Sequence, residues 1–404
     1  MIDDIFRSTP IAHFHNARAD DGSDGGGAWP AALDEILHPD VVQRALDEIR
    51  QWPGYAPTPL RSLDGLAGEL GLGGIWYKDE APRFGLGSFK ALGGAYAVLN
   101  LLAEQLGADF ADIRAGGLAS AASAITVATA TDGNHGRSVA WGAQQFGCHC
   151  VIYIHAEVSE GRKAAMEAFG AEVVRVDGNY DESVRRAAAD AAANGWHIVS
   201  DTSYPGYTEL PRHVMAGYTL MLDEVCAQLP AGTRLSHSIA QGGVGGLAGA
   251  VCGYFWQRFG EQRPRSLIVE PAFADCLYQS AMAGRATAVD IREETLMAGL
   301  SCGEVSYLGW QILSRGTHDF LSINDDTVAP SMRLLADGAG GAAPLVAGES
   351  AIAGLALLIA AMQRPELAAA LGLDGASQVL LIGTEGATDA AIYQQLVGRP
   401  ASAV

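Results

Sequence analysis

Four short stretches of this chain combine residue types that can do chemistry. The first is Ser88-Phe89-Lys90. Lysine is scarce: Lys78, Lys90 and Lys163 are the only ones in 404 residues. Lys78 precedes Asp79-Glu80 and reads as charge-paired. Lys163 stands beside Arg162 on a polar helix face and reads as solvated. Lys90 has an uncharged setting, between Phe89 and Ala91-Leu92. Burial disfavours an ammonium and leaves an amine nucleophilic enough to form a Schiff base with a carbonyl. A helix lysine taken alone is more often a solvated one, so the assignment needs partners.

The second stretch is Gln241-Gly242-Gly243-Val244-Gly245-Gly246, directly after an apolar strand and before an Ala- and Gly-rich helix. Glycines let the backbone approach an anion, and a helix start points free N–H groups at it, which makes a phosphate cradle. The same loop satisfies a second pattern. Gly243, Gly245 and Ala248 fit G-x-G-x-x-A, and Glu270 ends the next strand where a ribose-binding acid would stand. The loop alone therefore leaves an NAD-dependent oxidoreductase open. The third stretch, Thr131-Asp132-Gly133-Asn134-His135-Gly136, gathers polar side chains and backbone donors at a helix start. That suits a carboxylate or a phenolic oxygen, or an ordinary turn capped by Asp132 or Asn134. The fourth, Gly383-Thr384-Glu385-Gly386, offers a hydroxyl that could bond a ring nitrogen, or is a plain turn. Cys148-His149-Cys150 hints at metal, but alternation on a strand would put both thiols on one face, and packed core cysteines are the reading adopted.

The elements that must position these residues alternate. Short apolar runs at 75–77, 125–129, 150–154, 173–176, 197–199, 238–240, 267–269 and 379–382 read as strands. Helical patterns at 88–106, 135–146, 162–169 and 182–193 lie between them. Strand, helix, strand at this spacing predicts parallel sheets flanked by helices, an α/β class in which ligands bind beyond the carboxyl ends of strands. All four stretches lie after or between such strands. Residues 23–27 read as a loose lead-in, and 1–50 carry no interpretable motif. The apolar stretch 345–362 is interrupted by Glu349 and Ser350 and reads as a buried helix. A net charge of −20 disfavours nucleic acid and anionic membrane as partners. With no basic, apolar leader at the N-terminus, a cytoplasmic protein is expected.

In combination the stretches resemble the fold-type II pyridoxal-phosphate (PLP) enzymes, the tryptophan synthase β and threonine dehydratase group, over about residues 50–395. Ser88-Phe89-Lys90 matches the group's Schiff-base motif, Asp132-Gly133-Asn134-His135 its loop for substrate carboxylate and cofactor oxygen, and Gly242 to Gly246 its phosphate cradle. Within the group the chain is most similar to the diaminopropionate ammonia-lyases. The strings that carry this are Thr131 to Arg137, Val269-Glu270-Pro271 with Ala274-Asp275-Cys276, Met297 to Glu304, and Gly348-Glu349-Ser350. Gly242, Gly383 and Val305 depart from the usual pattern.

The resemblance implies two open, mostly parallel sheets with the active site between the domains. The large PLP-binding domain is expected at 1–92 and 206–404 and the small one at 93–205. It implies PLP held by Lys90, Asn134, Gly242, Gly243, Val244, Gly245, Gly246 and Thr384. Substrate falls to Thr131, Asp132, Gly133 and His135, with Lys90, Asp132 and Asp201 as catalytic groups. The implied reaction is elimination from 2,3-diaminopropionate, by a homodimer that takes a small amino acid and uses no metal. The resemblance also brings Cys276 and Cys302 close together, as a bridge or as two thiols. A serine/threonine-type dehydratase or β-replacement synthase on the same fold is the nearest alternative. An NAD-dependent oxidoreductase leaves Lys90 and Asn134 unexplained, and a silent PLP-binding protein leaves the filled catalytic positions unexplained.

Overall fold

A computed structural model describes residues 4–19, 27–131 and 133–404. The lead-in expected at 23–27 lies outside the described residues except for Gly27, and so does Asp132. The chain divides into two compact units: Met1–His38, Pro57–Pro82 and Met221–Val404 form one, Pro39–Ala56 and Arg83–Leu220 the other. Against the boundaries drawn from the sequence, 39–56, 83–92 and 206–220 group with the second unit. One cause is visible in the helix Ala91–Leu106, which packs along the helix Asn134–Phe146. A Cβ at Gly94 would meet Ser138 Oγ at 1.9 Å and one at Gly142 would meet Ala95 Cα at 2.7 Å, so small residues let these helices touch.

The first unit is built on a seven-stranded sheet. Its strands are β1 (Ile11–His15), β2 (Leu60–Ser62), β3 (Gly74–Asp79), β8 (His237–Gln241), β9 (Arg265–Pro271), β10 (Asp319–Ile323) and β11 (Gln378–Gly383). The order is β1-β10-β9-β8-β11-β3-β2. The five inner strands are parallel and the two edges antiparallel. Parallel strands are covered on both faces, which is why they show as continuous apolar runs. The strand β10 carries no such signal because Asp319 opens it. Its carboxylate is accommodated by Arg265 Nε at 2.7 Å and His13 Nε2 at 2.9 Å, from the neighbouring strands. The stretch 345–362 does contain a buried helix, Ala353–Met362, with every residue from 353 to 361 buried. Each fully buried Leu or Ile there contributes about 1.5–3 kcal/mol. No single described helix is long and apolar enough to cross a membrane.

The second unit holds a four-stranded sheet: β4 (Thr126–Ala130), β5 (His149–Ile154), β6 (Glu172–Arg175) and β7 (His197–Ile198), in the order β6-β5-β4-β7 and all parallel. Ala128, Val151, Tyr153 and Ala187 form a core cluster on it. Cys150 is buried in β5 as expected. Cys148 directly precedes the strand and is partly buried. In both units the chemistry-bearing stretches follow strand ends: 131–136 follow β4, Asp201 follows β7, 242–246 follow β8 and Thr384 follows β11.

Candidate active site

In the second unit the chain tightens through 83–89 and enters the helix Ala91–Leu106 with Lys90 already in α conformation. Ser88 and Phe89 are buried, and the Lys90 side chain keeps 22% exposure. Its setting is not uncharged. Lys90 Nζ donates to Asp201 Oδ2 at 2.6 Å. Its sequence neighbours are apolar as read, but the loop after β7 delivers a carboxylate from 111 residues away. The rings of Phe89 and Tyr218 stand 5.3 and 5.9 Å from the same nitrogen, within cation–π range. Gly93 makes the second contact possible, since a Cβ there would meet the Tyr218 ring at 2.5 Å. Burial alone would push the Asp201 carboxyl up. The Lys90 ammonium beside it, with His135 adding to it, wins and holds it well below the usual carboxylate range. Tyr218 carries no sequence signal beyond its aromaticity, and reading the sequence missed it.

The loop after β4 is held by Thr131. Its Oγ1 accepts from Gly133 N at 3.0 Å and Gly136 N at 3.2 Å. Gly133 takes the cap position of the helix Asn134–Phe146 and has no side chain to offer, so the Thr131 hydroxyl bonds N–H groups of this turn from ahead of the cap. Asn134 is half-buried. His135 is buried, and its Nε2 lies 2.9 Å from the Val199 carbonyl oxygen. Nδ1 lies 3.8 Å from Asp201 Oδ2. The other lysine of this unit, Lys163, pairs with Glu167 at 2.7 Å on an exposed helix face.

In the first unit the loop after β8 is a built turn. Gly242 N donates to Val269 O at 2.9 Å, and Gly245 N to Gly242 O at 3.2 Å. Gly243 and Gly245 have φ of 59° and 98°, a region that favours glycine. The helix Gly246–Phe259 starts there, and the N–H groups of its first turn have no carbonyl of their own helix to bond. The loop can therefore cradle an anion. Glu270, the acid of the dinucleotide alternative, is fully buried and accepts from Leu277 N at 3.0 Å and Tyr278 N at 2.8 Å. Burial pushes its carboxyl up to about 8. It serves the start of the helix Cys276–Ala283 and is closed off from a ribose.

The motif strings flanking this loop interlock. Cys276 Sγ donates to Gly243 O at 3.5 Å, and Ser306 N to Val244 O at 2.7 Å. Gly299 N donates to Ser350 Oγ at 2.9 Å, and Ser350 N to Glu385 Oε1 at 3.1 Å. Gly348 N donates to Glu385 O at 3.0 Å, beside the buried Thr384. Ser350 and Glu385 were visible only as parts of strings, and their joint role emerges from the fold. Cys276 and Cys302 are not joined in a disulfide. Lys78 is fully buried in this unit and charge-paired as read, donating to Glu224 Oε2 at 2.7 Å. Among the described residues no group of three or more His, Cys, Asp or Glu is placed to hold a metal. Taken by itself, the second unit presents a partly open amine on a carboxylate, which suits a carbonyl group. Taken by itself, the first presents a glycine loop at a helix start, which suits a phosphate, and a buried hydroxyl.

Comparison with known proteins points the same way. Residues 51–385 match the family model described as pyridoxal-phosphate dependent enzyme. Diaminopropionate ammonia-lyase of Escherichia coli (strain K12) is 42% identical over 349 residues, covering 85% of this chain and 88% of that protein. The protein of the same name from Salmonella typhimurium (strain LT2) is 40% identical over 386 residues, covering 92% and 95%. The crystal structure of the holo Escherichia coli lyase superposes with a TM-score of 0.87 at 38% identity, over 96% of this chain and 97% of that one. The same lyase with an aminoacrylate-PLP azomethine reaction intermediate gives 0.85 at 37% identity, with the same coverage.

Proposed function

The chain belongs to the pyridoxal-phosphate dependent enzymes, in the family of the diaminopropionate ammonia-lyases, and on that premise we propose that it converts 2,3-diaminopropionate and water to pyruvate and two ammonia. The observation that carries this reading is Lys90: an amine partly open to solvent, held by Asp201 at 2.6 Å. Lys90 would hold the cofactor's carbonyl carbon, and the loop Gly242-Gly243-Val244-Gly245-Gly246 its phosphate. Asn134 would meet its phenolic oxygen and Thr384 its ring nitrogen. Pyridoxal phosphate, when bound, supplies an electron sink for charge developed at the substrate's α-carbon.

The chain's residues do the rest. As a free amine, Lys90 Nζ would serve as the base for the α-proton on its own side. Asp132 is the base proposed for the opposite side. Asp201 orients the Lys90 amine and supplies negative charge for the departing β-ammonium. Thr131 and Gly133 shape the loop that takes the substrate carboxylate. His135 is buried and bonded to Val199, so it is not proposed as a substrate contact. We further propose a cytoplasmic homodimer, which light scattering and cell fractionation would check.

Product stoichiometry tests the substrate. Diaminopropionate should give ammonia and pyruvate at two to one, and serine at one to one. Faster kcat/KM on serine or threonine would replace the lyase reading with a dehydratase. Lys90→Ala should lose the borohydride-sensitive absorbance of the bound cofactor and nearly all turnover. Retention of both would remove Lys90 from the role.

A further inference from the structure

Lys90, Asp201 and His135 form a line of three titratable groups within one unit, and the reaction proposed above leaves the third without a task. A carbonyl oxygen only accepts, so the 2.9 Å contact to Val199 O puts a proton on His135 Nε2. That leaves Nδ1 as a lone pair when the ring is neutral. Nδ1 is buried and has no hydrogen-bond partner among the described residues. It lies 3.8 Å from Asp201 Oδ2, the oxygen that takes the Lys90 ammonium at 2.6 Å. A buried polar atom without a partner costs about 1–3 kcal/mol. A histidine that only filled space would not need to carry that cost.

Burial lowers the His135 imidazole below its ordinary range. Asp201 opposes this and Lys90 adds to it, so the ring is neutral while Lys90 is charged. Among the described residues, Asp201 and Lys90 are the titratable groups that face His135. Asp201 is faced in addition by the phenols Tyr207 and Tyr218, which burial holds protonated. The Arg162 side chain packs at Gly133, two residues before the histidine.

We propose that His135 is a positioning residue that stores the Lys90 proton: when Lys90 passes from ammonium to amine, the proton moves by way of Asp201 Oδ2 to His135 Nδ1, and the imidazolium replaces the ammonium as counter-ion of Asp201. The step balances. One N–H bond breaks at Nζ and one forms at Nδ1, Asp201 is a carboxylate before and after, and the trio stays neutral overall. The half-buried Asp201 carboxylate is never left without a cation, so Lys90 can act as a free base without leaving that charge unpaired. The inference rests on Lys90 being the reacting amine.

Histidine ¹⁵N NMR of the full chain tests it, with His135 assigned by its disappearance in His135→Gln. In Lys90→Met the His135 titration midpoint should rise by about one pH unit or more, a tenfold gain in proton affinity. In Lys90→Met/Asp201→Asn that rise should vanish. An unchanged midpoint in Lys90→Met overturns the proposal. His135→Gln offers an amide N–H that can still reach Val199 O and keeps the melting temperature, but cannot store a proton. Its kcat should fall roughly tenfold or more, the low end for a proton-transfer group, with KM little changed and the acidic limb of the pH profile displaced. Wild-type kcat and pH profile in that variant overturn the proposal even if Lys90→Met does not fold. The NMR titration needs no cofactor, so it can fail while Lys90 keeps its role. Failure of Lys90 itself shows as an intact borohydride-sensitive band in Lys90→Met.

Discussion

Replacing Lys78 with Met should cost the protein stability and spare its chemistry. Lys78 Nζ is fully buried and donates to Thr58 O at 2.7 Å, Glu224 Oε2 at 2.7 Å and Gln228 Oε1 at 3.1 Å. Removing one partner of a buried pair leaves the other charge uncompensated, at a cost of about 3–5 kcal/mol. Glu224 still accepts from Thr58 N at 3.1 Å, so the lower end applies, near ~3 kcal/mol. For a unit of this size each kcal/mol moves the melting temperature by roughly 2–4 °C, which predicts a loss of about 6–12 °C. Lys78→Met/Glu224→Leu should recover most of it, because the stranded carboxylate is gone, with a coupling of about 2 kcal/mol between the sites. The assay is a thermal melt by near-ultraviolet circular dichroism, with the absorbance of the bound cofactor recorded before each melt. A small melting shift together with loss of the borohydride-sensitive band would refute the reasoning, and would make Lys78 the carbonyl-bearing lysine.

Three further outcomes are expected. Asp132→Asn should lose turnover of the D-isomer of diaminopropionate by on the order of 100-fold or more while keeping more of the L-isomer activity, since each base reaches only the proton on its own side; equal losses in isomer-resolved kinetics would leave Asp132 a positioning residue. The His13, Arg265 and His15 contacts outweigh burial, and hold the Asp319 carboxyl at about 2, below its ordinary 3.8. A depressed carboxyl stabilises above its unfolded value and ceases to as pH falls through its folded one, so about 2 kcal/mol should disappear between pH 4 and 2. The stability gap between wild type and Asp319→Asn should close over that window, and a constant gap in denaturant titrations would contradict it. Gly245→Ala puts a Cβ at φ 98° and 3.2 Å from both Leu277 and Leu313. Strain of roughly 1–3 kcal/mol should weaken pyridoxal phosphate binding about tenfold or more in equilibrium dialysis, and unaltered binding would exclude the loop as the phosphate site.

Parallel strands buried on both faces advertise themselves as apolar runs, and so β3, β4, β5, β6, β8, β9 and β11 were legible within a residue or two of their bounds. The strand β10 was not, because its opening Asp319 looks like a turn until Arg265 and His13 arrive from other strands. The edge strands β1 and β2 pair only on one side and carry weaker patterns. At the candidate site, glycine spacing and strand ends marked 131–136, 242–246 and Thr384, because backbone chemistry is local. What the cap of the loop would be was not legible: Thr131 lies ahead of the cap position and does the work through its hydroxyl. Charge partners were the least legible. Lys78 has two acidic neighbours in sequence, and its bond to a third acid 146 residues away has no local signal.

That failure bears on how a reactive lysine should be sought. Lys90 was singled out for an uncharged setting, yet all three lysines of this acidic chain have a carboxylate at 2.6–2.7 Å. What separates them is how each pair meets solvent. Lys78 and Glu224 are at 0% and 2% exposure, and two further acceptors lock the amine in place. Lys163 and Glu167 are an i,i+4 pair at 26% and 42%, worth only a few tenths of a kcal/mol. Lys90 and Asp201, at 22% and 19%, lie between. They are dry enough for the carboxylate to fix the amine's position, and open enough for the amine to leave it for a carbonyl. Asp201 also has a second base at 3.8 Å, in His135, where a displaced proton can rest. A nucleophilic lysine is therefore better recognised by a carboxylate that can change partners than by the lack of one, and that property belongs to the loop after β7 rather than to the residues around Lys90 in the chain.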